Sequence, residues 1–253
     1  MAVNPVRKDS GFNPLRDLSL NGIGPTALYS SPPFQGGTGF SNGAKIKPAI
    51  RRLKDLKQVI YDKNWLNKAR DFPVYYMYRG VKEENGLRYD ITVIPPKMLG
   101  EEFTKTQGHH HRGKYGELYT ILQGEAIYLM QRFENKKITD VFVVRAKKGE
   151  SVVIPSGYAH ITINPTRKVL KMANWISEKC QSVYGLIGKK RGACYFYTKK
   201  GWIKNKNYGN VPSLRFKKPL KTVPKDLSFL KGLMGAGGEI GKHVRFRAVC
   251  RKA

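Results

Sequence analysis

The pattern of apolar and polar residues predicts a β-rich central region. Between residues 74 and 198, short runs of β-branched and aromatic residues are separated by Gly, Pro, Asn or charged clusters. Runs of this length at close intervals are typical of an all-β sandwich or barrel. The runs are VYYMYRG, LRYDITVIPP, ELYTILQGEAIYLMQRF, ITDVFVVRA, ESVVIP, AHITIN, VLKMANWI and ACYFYT.

The flanking segments have a different texture. Residues 1–44 are rich in Gly, Ser, Pro and Asn and predict a flexible arm. Residues 45–72 carry apolar residues at helical spacing, which predicts short helices before the strands. Residues 217–253 are basic and Gly-rich and predict a tail with little core of its own, in which LSFLKGLMGAG is a weak helix candidate. The predicted folded domain therefore spans residues 45–216.

The charge is strongly basic: 47 Lys and Arg against 18 Asp and Glu give a formal net charge of +29. The excess is spread along the whole chain, which favours a solvated surface over a dedicated nucleic-acid interface. Three scattered Cys make no disulfide framework, which favours a reducing compartment, and we expect a cytoplasmic protein. No apolar run approaches the roughly 20 residues of a membrane helix, and the N-terminus lacks the apolar region of a signal peptide.

The histidines supply the candidate chemistry. Four of the five His in the chain lie in two short segments, GHHHRGKYGELY and PSGYAHITIN. In an extended chain, His109 and His111 share one face and His110 faces the other way. Glu117 follows across a Gly-containing loop, and His160 follows a Pro-Ser-Gly turn. Three imidazoles and a carboxylate on one inward face suit Fe²⁺, Mn²⁺, Ni²⁺ or Zn²⁺ and leave positions open for substrate.

The spacing of the second segment resembles a known motif. Gly149, Pro155, Gly157, His160 and Asn164 fit the cupin signature G-x5-P-x-G-x2-H-x3-N at every fixed position. The resemblance implies a cupin double-stranded β-helix, that is, a jelly-roll barrel, with a bound metal ion. The first segment departs from the general cupin pattern, because five residues rather than three or four separate its last His from the Glu.

That departure is itself similar to one branch of the cupins. T-x-G-H-x-H with a longer gap before the Glu resembles the cupin-type glucose-6-phosphate isomerases of archaea and some bacteria. The similarity extends to RRLKDL, PVYYMY, ITVIPPKMLGEEFTKTQGHHH and NWISEKCQSVYGLIGKKRGACYF. It covers roughly residues 50–213 and omits the arm and the tail.

The resemblance implies interconversion of glucose 6-phosphate and fructose 6-phosphate, in glycolysis and gluconeogenesis. It implies one divalent ion, with Fe²⁺ expected first and Mn²⁺, Ni²⁺ or Zn²⁺ as alternatives, and a homodimer. The implied metal ligands are His109, His111, Glu117 and His160. The implied phosphate contacts are Thr92, Thr106 and Gly108, and the implied substrate-facing tyrosines are Tyr76, Tyr119 and Tyr184. The implied catalytic residues are Glu117 and Tyr184. Two positions depart from the family: Trp175 replaces a tyrosine and Ser182 replaces a histidine.

The chemistry can follow two routes. A base can move the C2 proton to C1 through a cis-enediol, or hydride can shift directly while a metal polarises O1 and O2. Glu117 is the base candidate, although strong coordination would lower its basicity. Two alternative functions stay open: another metal-cupin enzyme, such as a mannose-6-phosphate isomerase or a dioxygenase, or a basic nucleic-acid-binding cupin.

Overall fold

The computed structural model describes residues 46–232, so the predicted arm, residues 1–44, and the end of the predicted tail lie outside the described part. Its strands are β1 (Ala49–Arg52), β2 (Pro73–Glu84), β3 (Leu87–Ile94), β4 (Met98–Leu99), β5 (Glu102–Phe103), β6 (His110–His111), β7 (Glu117–Gln123), β8 (Glu125–Glu134), β9 (Lys137–Lys147), β10 (Ser151–Ile154), β11 (Tyr158–Ile163), β12 (Leu170–Ser177), β13 (Ser182–Val183), β14 (Tyr195–Thr198), β15 (Gly201–Lys204) and β16 (Arg215–Lys217). The helices are Leu53–Leu56, Lys63–Lys68 and Gly185–Lys189, with 3₁₀ turns at Lys57–Val59 and Ser228–Lys231.

Two main sheets form the framework of the described region. The first has the strand order β1-β2-β3-β12-β7-β10 and the second has the order β11-β8-β9-β16. Residues 105–109 extend the second sheet, because Lys105 and His109 form antiparallel bridges to Ile163 and His160. Small sheets of β13-β6 and β15-β14-β5-β4 complete the set.

The path of the chain between the two main sheets defines the fold. It runs from β7 in the first sheet to β8 and β9 in the second, back to β10, across to β11, and back again to β12. This repeated crossing is the winding of a jelly roll, which closes two antiparallel sheets around one core. The predicted all-β cupin double-stranded β-helix is therefore confirmed.

A glycine makes one of these crossings possible. Gly124 lies between β7 and β8 with φ +79°, in the left-handed region. A Cβ at this position would lie 2.5 Å from the backbone oxygen of Val169. Only glycine combines that conformation with that close approach, so the corner between the sheets depends on it.

The core lies between the sheets and contains apolar side chains from both. Tyr119 and Ile121 from β7 pack in one cluster with Tyr128, Met130 and Phe142 from the opposite sheet. Because strand side chains alternate between faces, each strand sends every second residue into this core. The inward residues near one end of the barrel are polar, and these form the site described below.

The helical segment before the barrel is confirmed. Leu53 and Leu56 lie in the first helix, Val59 ends its 3₁₀ extension and Ile60 follows it; all four are buried in the main core. The second helix begins at Asp62, whose carboxylate accepts a hydrogen bond from the Trp65 amide at 2.9 Å. That contact satisfies an amide that the first helical turn leaves free.

The chain after residue 216 packs against the barrel as far as residue 232. Strand β16 pairs in parallel with β9, and Leu220 forms a bridge to Ser151. Leu227 and Leu230 pack against Leu87 and Leu118 in a second apolar cluster. Residues 217–232 thus contribute a small core, unlike the tail that the sequence predicts, because two leucines in a basic segment suffice to cover the sheet end. The boundary itself stays a prediction.

Asn164, the last residue of the cupin signature, has a structural role. It is buried, and its side-chain amide donates to the carbonyls of Ile94 at 3.0 Å and Lys168 at 2.8 Å. Its side-chain oxygen accepts from the Thr166 amide at 3.2 Å. These bonds tie the loop after β11 to the end of β3. Within residues 46–232, none of the helices is long and apolar enough to span a bilayer.

Candidate metal centre and active site

Four polar side chains converge at one end of the barrel. His109 and His160 lie side by side on antiparallel backbone, with amide-to-carbonyl distances of 3.2 and 2.9 Å. His111 is the last residue of β6, and Glu117 is the first residue of β7. One potential ligand atom from each of the four lies within 4.8 Å of the others. The structure thus brings together the four predicted metal ligands, which we call the His₃Glu cluster.

The carboxylate lies between two of the imidazoles. Glu117 Oε2 is 3.3 Å from His111 Nε2 and 3.3 Å from His160 Nε2. The ring centroid of His109 is 4.5 Å from that of His160 and 5.2 Å from that of His111. Three of the four side chains are buried and His109 is partly exposed, so the cluster has one open side.

The donor set fits a divalent ion. His111 Nδ1 lies 3.2 Å from the carbonyl oxygen of Tyr115 and can donate a hydrogen bond to it. This contact directs the other ring nitrogen of His111, Nε2, towards the cluster. His111 Nε2 and Glu117 Oε2 are both buried with no hydrogen-bond partner among the described residues. Buried polar atoms without partners are costly, and their convergence indicates that a cation completes the site.

Burial and proximity perturb the titration of these groups, and the directions for His109 and Glu117 suit ion binding. Burial lowers the pKa of His109 well below its ordinary value, so the ring is a neutral ligand. Burial raises the pKa of Glu117, but the adjacent imidazoles of His111 and His160 lower it more, so the pKa lies well below its ordinary value. Burial lowers the pKa of His111, but the adjacent Cys180 and Glu117 raise it to about 10. Ion binding would therefore release a proton from His111.

A cavity of about 260 Å³ opens beside the cluster. It extends along the inner face of the first sheet, across β2, β3, β12 and β7, towards the segment 106–109 of the second. Of the predicted site residues, it is lined by Thr92, Thr106, Gly108, His109, Glu117, Tyr119, His160 and Tyr184.

The predicted phosphate contacts, Thr92, Thr106 and Gly108, all line the cavity, but they come from different walls. Thr92 lies two positions further along β3 than Asp90, whereas Thr106 and Gly108 lie on the opposite wall. The Thr106 hydroxyl oxygen accepts from the Thr162 amide at 3.0 Å, which fixes its side chain. Gly108 has φ +82°, and a Cβ there would lie 2.5 Å from Ile161 Cγ1. Glycine is therefore required where the backbone approaches the cavity.

Tyr76 does not line this cavity, although the sequence predicts a substrate contact there. Its neighbour Tyr75 does, together with Met77 and Arg79 of the same strand. Strand alternation explains the difference, because Met77 pairs with Thr92 and shares its face, whereas Tyr76 pairs with Val93 on the other face. The tyrosine of this strand that lines the cavity is therefore Tyr75, one position before the predicted Tyr76.

Tyr119 and Tyr184 both face the cavity, beside the histidines. The Tyr119 hydroxyl lies 3.4 Å from His160 Nε2, and burial raises its pKa well above the ordinary value. It is therefore a neutral donor at physiological pH. The Tyr184 ring centroid lies 5.5 Å from that of His109, at the start of the helix Gly185–Lys189.

The two residues that depart from the family pattern, Ser182 and Trp175, lie in different places relative to the cavity. Ser182 lines the cavity, so the replaced histidine leaves a small hydroxyl at the wall. Trp175 does not line it; its ring packs against Tyr89 with a centroid distance of 4.8 Å. Its strand neighbours Asn174 and Ile176 face the cavity instead.

Sequence reasoning missed a charged patch on the cavity wall. Asp90 accepts from Arg88 Nε at 2.8 Å and Nη2 at 3.0 Å, and from the Gly80 amide at 2.8 Å. Arg79 Nη1 lies 3.5 Å from the same carboxylate. The hydrogen bonds to Asp90 raise the pKa of Arg88. Counting every second residue back from Thr92 along the strand would have found Asp90 and Arg88. Cys180, which also lines the cavity, had no such signal.

Taken together, the barrel and the His₃Glu cluster define a cupin enzyme with a candidate centre for a divalent ion. A family profile for glucose-6-phosphate isomerase matches residues 50–213, well over half of the chain. The chain belongs to the glucose-6-phosphate isomerase family, which confirms the predicted resemblance.

Individual relatives agree. The glucose-6-phosphate isomerase of Pyrococcus abyssi is 35% identical over 133 residues, covering 50% of this chain and 67% of the relative. The glucose-6-phosphate isomerase of Thermococcus litoralis is 29% identical over 150 residues, which cover 57% of this chain and 77% of the relative. Solved structures of an oxalate oxidase and of the Lactobacillus farciminis oxalate decarboxylase match more distantly. The oxalate oxidase has a TM-score of 0.37 and 15% identity, and the match covers 44% of this chain and 55% of that one. The oxalate decarboxylase has a TM-score of 0.37 and 16% identity, and the match covers 45% of this chain and 32% of that one.

Proposed function

We propose that this protein is a metal-dependent aldose–ketose isomerase that interconverts glucose 6-phosphate and fructose 6-phosphate. One observation carries the proposal: the cavity that borders the His₃Glu cluster is also lined by Thr92, Thr106 and Gly108. A sugar phosphate has reacting carbons and a phosphate, and this cavity offers a candidate ion site for the first and neutral donors for the second. Membership of the family supports the same substrate pair.

His109, His111, Glu117 and His160 would hold the divalent ion. Fe²⁺ is our first assignment and Mn²⁺, Ni²⁺ or Zn²⁺ are the alternatives, because mixed imidazole and carboxylate ligands suit all four. The ion supplies a Lewis acid that polarises the oxygens on C1 and C2. All remaining steps belong to side chains of the chain.

Glu117 is the base that we assign to the proton transfer between C2 and C1. Its carboxylate is buried and ionised, because the adjacent His111 and His160 hold its pKa low despite burial. The Tyr119 hydroxyl, 3.4 Å from His160 Nε2, is assigned to orient the imidazole beside the carboxylate. A proton taken from C2 can be returned at C1 by the same group, in exchange with solvent. Tyr184, whose ring centroid lies 5.5 Å from that of His109, is the candidate donor to a sugar hydroxyl.

The proton step is tested by Glu117→Gln, with Glu101→Gln as a control at an exposed carboxylate paired with Lys199. Turnover of fructose 6-phosphate is followed through a coupled dehydrogenase, and metal content is measured on the same samples. We expect Glu117→Gln to lose on the order of a hundredfold or more in kcat, which is the usual contribution of a general base, while Glu101→Gln is unchanged. Normal turnover of Glu117→Gln with normal metal content would eliminate the base role.

The route itself is tested with glucose 6-phosphate deuterated at C2. Release of the deuterium to solvent supports a proton passing through Glu117. Complete retention at C1 in the product supports a hydride shift instead. Parallel assays with mannose 6-phosphate, and of oxygen uptake, examine the alternative cupin activities; turnover of mannose 6-phosphate alone would replace the proposed substrate.

The homodimer, the cytoplasmic location and the absence of a nucleic-acid partner also remain proposals. Family analogy supports the dimer. Light scattering on the purified protein would give a mass of twice 28.7 kDa for a dimer. Binding to RNA with a steep salt dependence would support the nucleic-acid alternative.

A further inference from the structure

An arginine behind the cavity wall has a buried nitrogen without a partner. Arg51 lies on β1 and pairs in register with Tyr75 of β2, so the two side chains point to the same face of the sheet. That face is the inner one, since Tyr75 lines the cavity. The Nε atom of Arg51 is buried and makes no hydrogen bond with any described residue.

The guanidinium contacts the two tyrosines at this end of the cavity. Its central carbon lies 5.5 Å from the centroid of the Tyr184 ring. Burial lowers the pKa of Arg51, but the neighbouring Tyr75 and Tyr184 raise it more, Tyr184 also through a hydrogen bond, so the group is a permanent cation. Burial raises the pKa of Tyr75 to about 12, so its hydroxyl is a neutral donor and acceptor.

These tyrosines connect the arginine to the predicted phosphate contacts. The Tyr75 hydroxyl lies 3.4 Å from the amide of Gln107, the residue before Gly108. Tyr184 lies between Arg51 and the His₃Glu cluster, since its ring is also close to His109. One tyrosine therefore contacts both the cation and a residue of the metal centre.

We propose that Arg51 is the cationic anchor of the phosphate end of the cavity. It acts as a positioning residue: its charge attracts the dianion, and its contacts direct the Tyr75 and Tyr184 hydroxyls towards the phosphate oxygens. The inference rests on the proposed function for the identity of the substrate. It adds a cation to an end of the cavity where the predicted contacts, Thr92, Thr106 and Gly108, are all neutral.

The cost of the arrangement in the free protein supports this role. A buried donor without a partner destabilises a fold, and more so when it is charged. Such a cost is unexpected at a purely structural position, because a shorter apolar residue would fill it without penalty. A phosphate in the cavity compensates for it through the attraction between opposite charges, which is strong where water is excluded.

The adjacent arginine offers a matched control. Arg52 points to the opposite side and forms an ion pair with Asp71, with 2.6 Å between Nε and Oδ2, at an exposed position. Removing either arginine changes the net charge by the same amount. Only Arg51 contacts residues that line the cavity.

The test compares Arg51→Gln, Arg51→Lys and Arg52→Gln as full-length, metal-loaded proteins. We measure KM and kcat for fructose 6-phosphate, the inhibition constant of inorganic phosphate, metal content and Tm. For Arg51→Gln we expect KM and the phosphate inhibition constant to rise by roughly 10–100-fold, with kcat changed less than about threefold. Arg51→Lys should recover part of the loss, and Arg52→Gln should match the wild type.

Two results would overturn the proposal: unchanged KM and phosphate inhibition in Arg51→Gln, or a loss of kcat and Tm in both Arg51 variants that the lysine does not relieve. Calorimetric titration with inorganic phosphate separates this inference from the proposed function. Wild-type protein that binds phosphate more tightly than Arg51→Gln but does not turn over fructose 6-phosphate would support the anchor and refute the isomerase assignment.

Discussion

Two of the groups of buried charged side chains in residues 46–232 differ in how their polar atoms are satisfied. The first is the His₃Glu cluster. The second is the pair Glu102–Lys105, whose residues are 1% and 2% exposed. Glu117 and His160, at 2% each, are as deeply buried. Burial alone therefore does not separate a functional site from a structural contact.

Hydrogen-bond satisfaction does separate them. Lys105 Nζ donates to the Val59 carbonyl at 2.7 Å and to the Glu102 carboxylate, and lies 4.8 Å from the centroid of the Phe196 ring. Glu102 also accepts from the Tyr61 amide at 3.1 Å. The pair is a closed network that ties residues 59–61 to the barrel. In the His₃Glu cluster the potential ligand atoms of His111 and Glu117, Nε2 and Oε2, have no hydrogen-bond partner within the part of the chain that the structure describes.

The comparison teaches that a closed network of charges stabilises the fold, whereas an open one binds something. It predicts that substitutions in the cluster abolish function with little effect on the fold, and that substitutions in the pair do the reverse. The predictions below test this division.

The largest effect is expected from His109→Ala. Loss of one imidazole should remove most of the bound ion, and with it several kcal/mol of transition-state stabilisation, on the order of a thousandfold in kcat/KM. The neighbouring His110 lies outside the cluster, so His110→Ala is the control and should keep metal and activity. Metal analysis and the coupled assay check both. Equal losses in the two variants would show that the segment, rather than the ligand, matters.

Lys105→Met should destabilise the fold by about 3–5 kcal/mol, because it leaves the Glu102 carboxylate buried without a counter-charge. Metal content, and kcat at a temperature where the variant is folded, should stay near the wild-type values. Urea unfolding measures the change in the free energy of unfolding. The double variant Lys105→Met with Glu102→Gln should recover part of the stability; a further loss would contradict the closed-network interpretation.

Gly108→Ala should have an intermediate effect on both properties. The positive φ costs a residue with a Cβ roughly 1–2 kcal/mol, and the methyl group must displace Ile161. The backbone then moves away from the phosphate end, so KM for fructose 6-phosphate should rise more than kcat falls. A comparable substitution at Gly149, whose φ is also positive but where a Cβ meets nothing within 4 Å, should cost only stability.

The smallest effect is expected at the exposed ion pair between Asp140 and Arg215. Burial raises the pKa of Asp140, but hydrogen bonds with Tyr158 and Arg215 lower it more, so its pKa in the folded state is depressed. The resulting stabilisation is present when the pH is above the pKa of Asp140 in the unfolded chain. It disappears as the pH falls through the lower pKa of Asp140 in the folded state. Asp140→Asn should therefore cost at most about 1 kcal/mol at pH 7 and progressively less in acid, by urea unfolding. A loss that grows in acid would reverse the assigned sign.

The convergence of the four predicted metal ligands could be predicted because their spacing is local and chemically unusual. His109, His111 and Glu117 lie within nine residues, and His160 lies in a motif with five matching positions. The phase of β2 could not be predicted, for a physical reason. Tyr75 and Tyr76 are both 4% exposed, so both faces of the strand are buried and no alternation of polar and apolar residues marks the inner one.

The buried pair could not be predicted either. Glu102 and Lys105 lie in a segment with charged residues on either side, and such residues are usually solvated. Their burial depends on the Val59 carbonyl, the Tyr61 amide and the Phe196 ring, which come from distant parts of the chain. The position of Arg51 beside the cavity could not be predicted for the same reason, because only the pairing of β1 with β2 brings Arg51 to the tyrosines.

The most direct test of the account measures metal content and isomerase activity on one sample, before chelation, after chelation and after one divalent ion is restored. The account predicts one ion per chain, a loss of both ion and activity with chelator, and recovery of both with the ion. It also predicts that His110→Ala follows the wild type and that His109→Ala does not recover. Full turnover of fructose 6-phosphate by protein shown to be free of metal would contradict it.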